Sequence, residues 1–169
     1  MVTPITNVGG VANAVAAAPA GFGNFGGQLI VVKQDGTVLA VDPQGPTTTT
    51  VATGAGHMSD LAFGPTGILY VSGGSTVKTI SSTGTVTTFA SVGGAADGLA
   101  VDPDNSRIFI ADSSGDVIKQ LTLPGKQLTT LFPADIDNGY YVAGIIHDKQ
   151  STLIYATGES SYTLQAATP

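Results

Sequence analysis

Short apolar runs separated by turn-forming clusters make up most of the chain. In the stretch Asp97–Gly125, three such runs (Leu99–Val101, Ile108–Ala111 and Val117–Leu121) are divided by clusters of Asp, Asn, Ser and Gly. Runs of this length, bounded by such clusters, are typical of β-strands joined by tight turns. The pattern therefore predicts an all-β chain.

The same phrase occurs four times along the sequence. The first apolar residues of the four copies lie between 38 and 46 residues apart, at Val15, Leu61, Leu99 and Ile145. A four-stranded propeller blade has a period of about 40–50 residues. We therefore predict a β-propeller of about four four-stranded blades in a single domain, 1–169. The blade cores are predicted at about 9–54, 55–92, 93–134, and 135–169 together with 2–8.

Each copy predicts an inner strand followed by three more. The second strands are nearly continuous apolar runs, as expected for strands that are buried on both faces. The fourth strands are rich in threonine, which suits an outer strand with one face exposed to solvent. The inner strands are predicted at Asn13–Pro19, Ser59–Pro65, Asp97–Pro103 and Ala143–Lys149. The second are predicted at Leu29–Gln34, Ile68–Gly73, Ile108–Ser113 and Leu153–Gly158. The third are predicted at Thr37–Gly45, Thr76–Gly84, Asp116–Gly125 and Ser161–Pro169, and the fourth at Thr47–Gly54, Thr85–Val92 and Gln127–Ala134.

The last copy has no fourth strand after Pro169, and the opening residues supply a candidate. The segment Val2–Val8 has strand character, and its Pro4 is compatible with an outer edge strand. Pairing of this segment with the last blade would close the ring and hide its edges. Two alternatives stay open: the chain is part of a larger ring, or it is half of a ring that a second chain completes as a homodimer.

Composition narrows the classes of partner. The chain has a net charge of −6, only 11% charged residues and no cysteine, so it lacks a disulfide framework and a thiolate metal site. Without a basic stripe, neither nucleic acid nor an anionic membrane is an expected partner. No basic segment precedes the Ala-rich N-terminal stretch, so no signal peptide is predicted. Sparse charge with frequent Thr, Ser and Gly resembles exported bacterial proteins and favours an extracellular or periplasmic location.

Two phrases carry a resemblance to known proteins. DGLAVDPDNSRIFIADSSGDVIKQL and GQLIVVKQDGTVLAVDPQG resemble the NHL-repeat and SMP-30/gluconolactonase-like β-propellers, over essentially all 169 residues. The segment APAGFGNFGGQLIVV resembles a blade joint of exported bacterial proteins of that kind. Members usually have six or more blades, whereas this sequence has four copies. The resemblance implies the fold more strongly than the function, because propellers serve many unrelated chemistries.

The resemblance also implies a candidate cation site. SMP-30-like enzymes hold a divalent cation with an Asn placed before an inner strand and with acidic residues from other blades. Asp97 and Asn13 match that Asn in two blades, and Ser59 holds the same position in a third. Ca²⁺ prefers six to eight oxygen ligands, whereas this set offers one carboxylate, one amide and one hydroxyl. We favour turn capping by Asp97 and Asn13, so no cofactor is predicted, with Ca²⁺ as the alternative.

Catalytic residues are not predicted. The histidines are His57 and His147, and no GxSxG nucleophile elbow is present. A ligand site is instead predicted in the loop Asp135–Gly144, which carries Asn138, Tyr140 and Tyr141 and lengthens one blade joint. Loops of this kind carry function more often than the strands that they connect.

Three functions are compatible with these features. We favour a non-enzymatic binding or interaction scaffold from an exported bacterial protein, which binds a small molecule or a protein. The alternative, implied by the resemblance, is a calcium-dependent lactonase or esterase of the SMP-30-like type. In the third, the chain is a set of blades whose property is to fold or to pair with copies of itself.

Overall fold

Four antiparallel sheets follow one another along the chain. The computed structural model describes residues 5–102, 104, 106–133, 142–148, 153–158 and 164–167. The first blade consists of β1 (Ala12–Ala17), β2 (Leu29–Lys33), β3 (Val38–Val41) and β4 (Thr48–Ala52). The second consists of β5 (Asp60–Phe63), β6 (Leu69–Gly73), β7 (Thr76–Ile80) and β8 (Val86–Ser91). The third consists of β9 (Ala96–Val101), β10 (Arg107–Asp112), β11 (Val117–Thr122) and β12 (Leu128–Pro133). The fourth contains β13 (Val142–Asp148), β14 (Leu153–Gly158) and β15 (Leu164–Ala167).

Within each blade the strands pair in chain order, as in a meander. The first strands of successive blades lie side by side, with β1 next to β5, β5 next to β9, and β9 next to β13. Four-stranded meanders stacked face to face around such an inner row form a β-propeller. The predicted fold class is therefore confirmed. Among the described residues, the helical part is the three-residue turn Gly23–Phe25, which is far too short to cross a membrane.

Apolar cores lie between neighbouring blades. The first core joins the first two blades, and Phe22 from the β1–β2 loop packs edge-to-face on Phe63 with ring centroids 5.0 Å apart. The second core joins the second and third blades, and includes Tyr70, which packs on Phe89 at 5.3 Å. Successive residues of a strand point to opposite faces, so the second blade contributes to both of these cores.

The inner strand of the first blade differs from its counterparts in exposure. Val15 is 59% exposed, whereas the corresponding Leu61 and Leu99 are 5% and 3% exposed. Leu61 belongs to the core shared with the first blade, and Leu99 to the core shared with the second. A preceding blade therefore covers these two leucines, whereas no blade among the described residues covers Val15 in this way.

The opening segment does not form the predicted closing strand in its described part. Ile5–Val8 has no strand structure; the Thr6 hydroxyl donates to the Pro46 carbonyl oxygen at 3.2 Å, and Val8 packs on apolar residues of the first blade. The side-chain oxygen of Asn7 accepts from the Gly9 amide at 2.8 Å. This turn, and the apolar cover that Val8 finds on the first blade, explain why the segment lies there.

Closure of the ring stays a prediction. Residues 1–4 lie outside the described part of the chain, and β15 has no described strand on its outer side. Among the described strands, β13 is not brought beside β1 in the way that β1, β5 and β9 adjoin one another.

Candidate functional site

The predicted cation residues lie where the inner strands begin. The Ser59 hydroxyl donates to a carboxylate oxygen of Asp97 at 3.0 Å, so residues of the second and third blades meet there. The Asn13 amide instead donates to the Met58 carbonyl oxygen at 2.6 Å, and ties the first blade to the second. Register shifts occur at both Asn13 and Asp97, and such bulges turn these side chains out of the regular ladder. The structure thus brings together two of the three residues.

Asp60 is a second acidic group in this region, beside Asp97, and was not among the predicted ligands. Its two carboxylate oxygens accept from the backbone amides of Leu61 and Leu99, each at 2.8 Å. Burial raises the pKa of Asp60, and these two amide donors oppose the rise. The carboxylate therefore links the second blade to the inner strand of the third.

Most oxygen atoms of these described groups are already hydrogen-bonded within the protein. Ca²⁺ takes six to eight oxygen ligands, and one Asp97 oxygen is already bonded to Ser59. The Asp97 backbone oxygen accepts from Ser72 at 2.6 Å, and both Asp60 oxygens are bonded to amides. Within the described part of the chain, no group of three His, Cys, Asp or Glu side chains converges. These hydrogen bonds join neighbouring blades, and the calcium prediction stays a prediction.

Sequence reasoning did not find the buried ion pair of the third blade. Asp112, 2% exposed, lies 2.5 Å from the Lys119 ammonium, and accepts from the Ala95 amide at 3.0 Å and the Ser114 hydroxyl at 2.7 Å. Burial acts to raise the pKa of Asp112, but Lys119 and Ser114 outweigh it and hold that pKa below its ordinary value of 3.8. An ionised carboxylate that is held by an ion pair and several hydrogen bonds is suited to a structural role.

Lys119 has a counterpart in the second blade. Lys119 also donates to the Val92 carbonyl oxygen at 2.8 Å, and Lys78 donates to the Ala55 carbonyl oxygen. Both carbonyl acceptors lie in the linker that leads from the preceding blade into the blade that carries the lysine. The recurrence of lysine in these two third strands was the available signal for this contact.

A groove of about 450 Å³ opens at the end of the second blade that carries the β5–β6 and β7–β8 turns. It is lined by the β1–β2 loop of the first blade and by the strands and turns of the second. Tyr70, Thr79 and Thr87 occupy directly paired positions of β6, β7 and β8, and so share one face of the sheet. Ile68, which is exposed, and Phe89 add apolar surface.

Hydroxyl and apolar groups line this groove, and none of its lining residues is charged. Ser81, Ser82 and Thr85 of the β7–β8 turn contribute hydroxyls beside those of β7 and β8. Burial raises the pKa of Tyr70, so its hydroxyl stays neutral at physiological pH. The groove therefore suits an uncharged ligand.

The predicted ligand residues Asn138, Tyr140 and Tyr141 lie outside the described residues, so their role stays a prediction. The groove escaped sequence reasoning because its walls come from segments far apart in the chain. Its signal in the sequence is limited to the hydroxyl-rich phrase that follows β7, Ser81–Thr88.

Comparison with known proteins supports the fold. No family model and no curated protein matches the sequence. An auxiliary nutrient-binding protein from Bacteroides thetaiotaomicron superposes with a TM-score of 0.76 at 12% identity, over 93% of this chain and 38% of its own. The calcium-binding protein regucalcin from Agrobacterium tumefaciens gives 0.73 at 12% identity, over 93% and 56%. The computationally designed protein Ika4 gives 0.65 at 17% identity, over 99% of both chains.

These likenesses concern the fold alone, because the identities are low. The chain spans about two fifths of the nutrient-binding protein and just over half of regucalcin. Propellers of similar shape carry unrelated functions.

Proposed function

We propose that this chain is a non-enzymatic β-propeller scaffold of an exported bacterial protein, and that it binds an uncharged ligand in the groove of the second blade. The carrying observation is the groove itself, an open space of about 450 Å³ with apolar walls and hydroxyl groups. Ligand sites of small molecules are concave, mostly apolar and fitted with few polar groups, and they fall in this range of volume.

The lining favours a neutral ligand that carries hydroxyl or amide groups. Thr79 and Thr87 can donate or accept hydrogen bonds, while Phe89 and Ile68 offer apolar contact. A charged ligand would enter without a partner for its charge among the lining residues, which is costly. A neutral sugar or amide fits these requirements.

The comparison with the nutrient-binding protein from Bacteroides thetaiotaomicron is in keeping with this proposal and with an extracellular or periplasmic location. Exposed hydroxyl-rich outer strands, as in β4 and β8, also suit an aqueous exterior with few charged partners.

Thermal-shift measurements with panels of neutral sugars, small amides and charged analogues test the proposal. The variant Thr87→Trp places a large side chain in the groove. Thr88→Trp is the matched control, because Thr88 is an equally exposed neighbour in β8 that does not line the groove. We expect a neutral compound to raise the melting temperature of the wild type and of the control, but not that of Thr87→Trp.

Two results would contradict the proposal. One is a panel in which no neutral compound stabilises the wild type. The other is a compound that stabilises Thr87→Trp as strongly as the wild type, since its site must then lie elsewhere.

The contact of Ser59 with Asp97 favours a second candidate, the calcium-dependent lactonase or esterase. In that case Asp97 and Ser59 would contribute oxygen ligands. Calcium titration by calorimetry distinguishes the two candidates. Heat that is abolished in Asp97→Ala but kept in the turn variant Asp42→Ala would favour the enzyme, and absence of heat would count against it.

A further inference from the structure

The outer strand of the second blade, β8, has an open edge beside the groove. It is the last strand of its sheet, and none of the described strands pairs with its outer side. An edge strand of this kind presents unpaired backbone N–H and C=O groups, with which another extended chain can pair. Thr87 and Thr88 are exposed, so this part of the edge is in contact with solvent.

The sequence of β8 lacks the features that commonly protect an edge strand. Charged side chains and proline block the pairing of edges in many proteins. The stretch Ser81–Ala96, which contains all of β8, has neither a charged residue nor a proline. Prolines border the outer strands of the other two complete blades, since Pro46 lies shortly before β4 and Pro133 ends β12. The edge of β8 is therefore the least protected of these three.

The groove follows the same strand. Three residues at alternate positions, Thr85, Thr87 and Phe89, line it. A strand added beside β8 would place its own alternate side chains over that face. A register shift beside Phe89 interrupts the ladder, so regular pairing is expected with Val86–Thr88. The edge would thus hold the backbone of an extended chain while the groove receives one of its side chains.

We propose that β8 and the groove together bind an extended, uncharged peptide segment by β-strand addition. The inference rests on the proposed function, because it assigns a ligand class to the same groove. Ile68 is 41% exposed in the groove and offers contact to an apolar side chain of the peptide. The Lys126 ammonium lies 4.3 Å from the ring centroid of Phe89, so basic residues of the peptide are disfavoured there. In this mode the backbone pairing supplies affinity and the groove supplies specificity.

Selection from a phage-displayed library of random peptides, followed by backbone N-methylation, tests the proposal on the full chain. The enriched peptides are expected to lack lysine and arginine. Each synthetic peptide is then made in two forms, with methyl groups on alternate amides in one frame or in the other. Alternate amides of an added strand face the partner strand. Fluorescence anisotropy should therefore show binding weakened by about tenfold or more in one frame, through lost hydrogen bonds, and changed by less than about twofold in the other.

A pair of lysine variants tests the edge itself. Thr88→Lys places a charge on the exposed edge of β8 and is expected to weaken peptide binding by about tenfold or more. Thr50→Lys is the matched control, because Thr50 holds the same position in β4. Thr50 pairs with Leu39, and Thr88 pairs with Lys78, each beside the register shift of its blade. The control is expected to bind like the wild type, and circular dichroism verifies that both variants are folded.

Three outcomes would overturn the inference: a library that yields no peptide, equal binding of both N-methylated forms, and undiminished binding by Thr88→Lys. Failure of the inference is distinguishable from failure of the proposed function. If a neutral sugar or amide stabilises the wild type but not Thr87→Trp, the groove binds ligands even though strand addition is wrong. If no neutral compound and no peptide binds, both are wrong.

Discussion

At the scale of single residues, several charged groups of the described part of the chain form buried ion pairs and hydrogen bonds within and between blades. Asp112 is bonded to an ammonium, a hydroxyl and a backbone amide, and Asp102 is bonded to Arg107 and Ser106. Burial of an ion is tolerated only where its partners replace the lost water.

The Asp112–Lys119 pair predicts a large effect of Asp112→Asn. Loss of the carboxylate leaves the Lys119 ammonium, itself mostly buried, without its counterion, and this should lower the free energy of unfolding by about 3 kcal/mol. Urea denaturation at pH 7 measures the change. In the control Asp35→Asn, the lost ion pair with Lys33 is at the surface, so a much smaller change is expected. Equal effects in the two variants would contradict the importance of burial.

The lowered pKa values of Asp112 and Asp102 predict acid lability. A carboxyl group whose pKa is lower in the folded state binds fewer protons there than in the unfolded chain. Its contribution is therefore present above pH 3.8, the ordinary pKa, and is lost as the pH falls through the folded value. Asp60 acts in the opposite sense, because its raised pKa makes its contribution fall as the pH rises through the folded value.

Urea denaturation between pH 5 and pH 2 should therefore show decreasing stability in the wild type. The decrease should be shallower in Asp112→Asn, which cannot titrate at that position. A slope unchanged by this substitution would show that other carboxyl groups control the acid response.

At the scale of strands and turns, close approach between blades restricts the turns. Gly84 in the β7–β8 turn has a φ of +83°, and a Cβ there would overlap the carbonyl oxygen of Val51 in β4. Gly93 has a φ of +66° but open space around it. Substitutions at the two glycines therefore separate the cost of the left-handed backbone conformation from the cost of steric overlap with the neighbouring blade.

Gly84→Ala should destabilise the fold by roughly 3 kcal/mol, whereas Gly93→Ala should cost about 1 kcal/mol from the left-handed conformation alone. Thermal and urea denaturation of both variants measure the difference. If the two cost the same, the first two blades are not in contact at this turn.

The order and type of the elements were predictable from the sequence. Leu153–Gly158 was predicted and found with identical bounds, whereas the strand predicted over Thr37–Gly45 is shorter, at Val38–Val41. The difference is the turn that follows, where Asp42 accepts from the Gln44 amide at 2.8 Å. Apolar runs and turn residues are local signals, so they predict where a strand lies. They predict its ends less well, because the ends depend on the geometry of the adjoining turn.

The candidate sites were less predictable. Contact between Ser59 and Asp97 agrees with their aligned positions, but the bond from Asn13 to Met58 depends on the path of a linker. Likewise the groove combines Phe22 with Thr87, which are remote in sequence. Local patterns do not encode the small rotation between neighbouring blades, and this rotation decides both the shape of the groove and the closure of the ring.

At the scale of the whole molecule, packing is sequential: the two largest described cores each join a pair of adjacent blades. Ile30 is buried in the first core and Ile110 in the second, and the two cores share no residue. Interactions in an array of this kind are limited to nearest neighbours. Substitutions in different cores should therefore act independently.

Ile30→Val and Ile110→Val should each cost about 1 kcal/mol, and the double variant should cost the sum within about 0.5 kcal/mol. Urea denaturation of the three variants tests this expectation. The pair Ile30→Val and Leu69→Ala, from a single core, serves as the comparison and should depart from additivity. Strong coupling between Ile30 and Ile110 would show that the blades respond as one unit.

The lysine contact with the preceding linker, made by Lys78 in the second blade and by Lys119 in the third, has an evolutionary consequence. A blade copied by gene duplication would carry its own complete set of attachments to the linker before it. It could be inserted next to its parent without change elsewhere. Propellers of this kind can therefore lengthen in whole units, and their blade number can drift between lineages while every joint is kept.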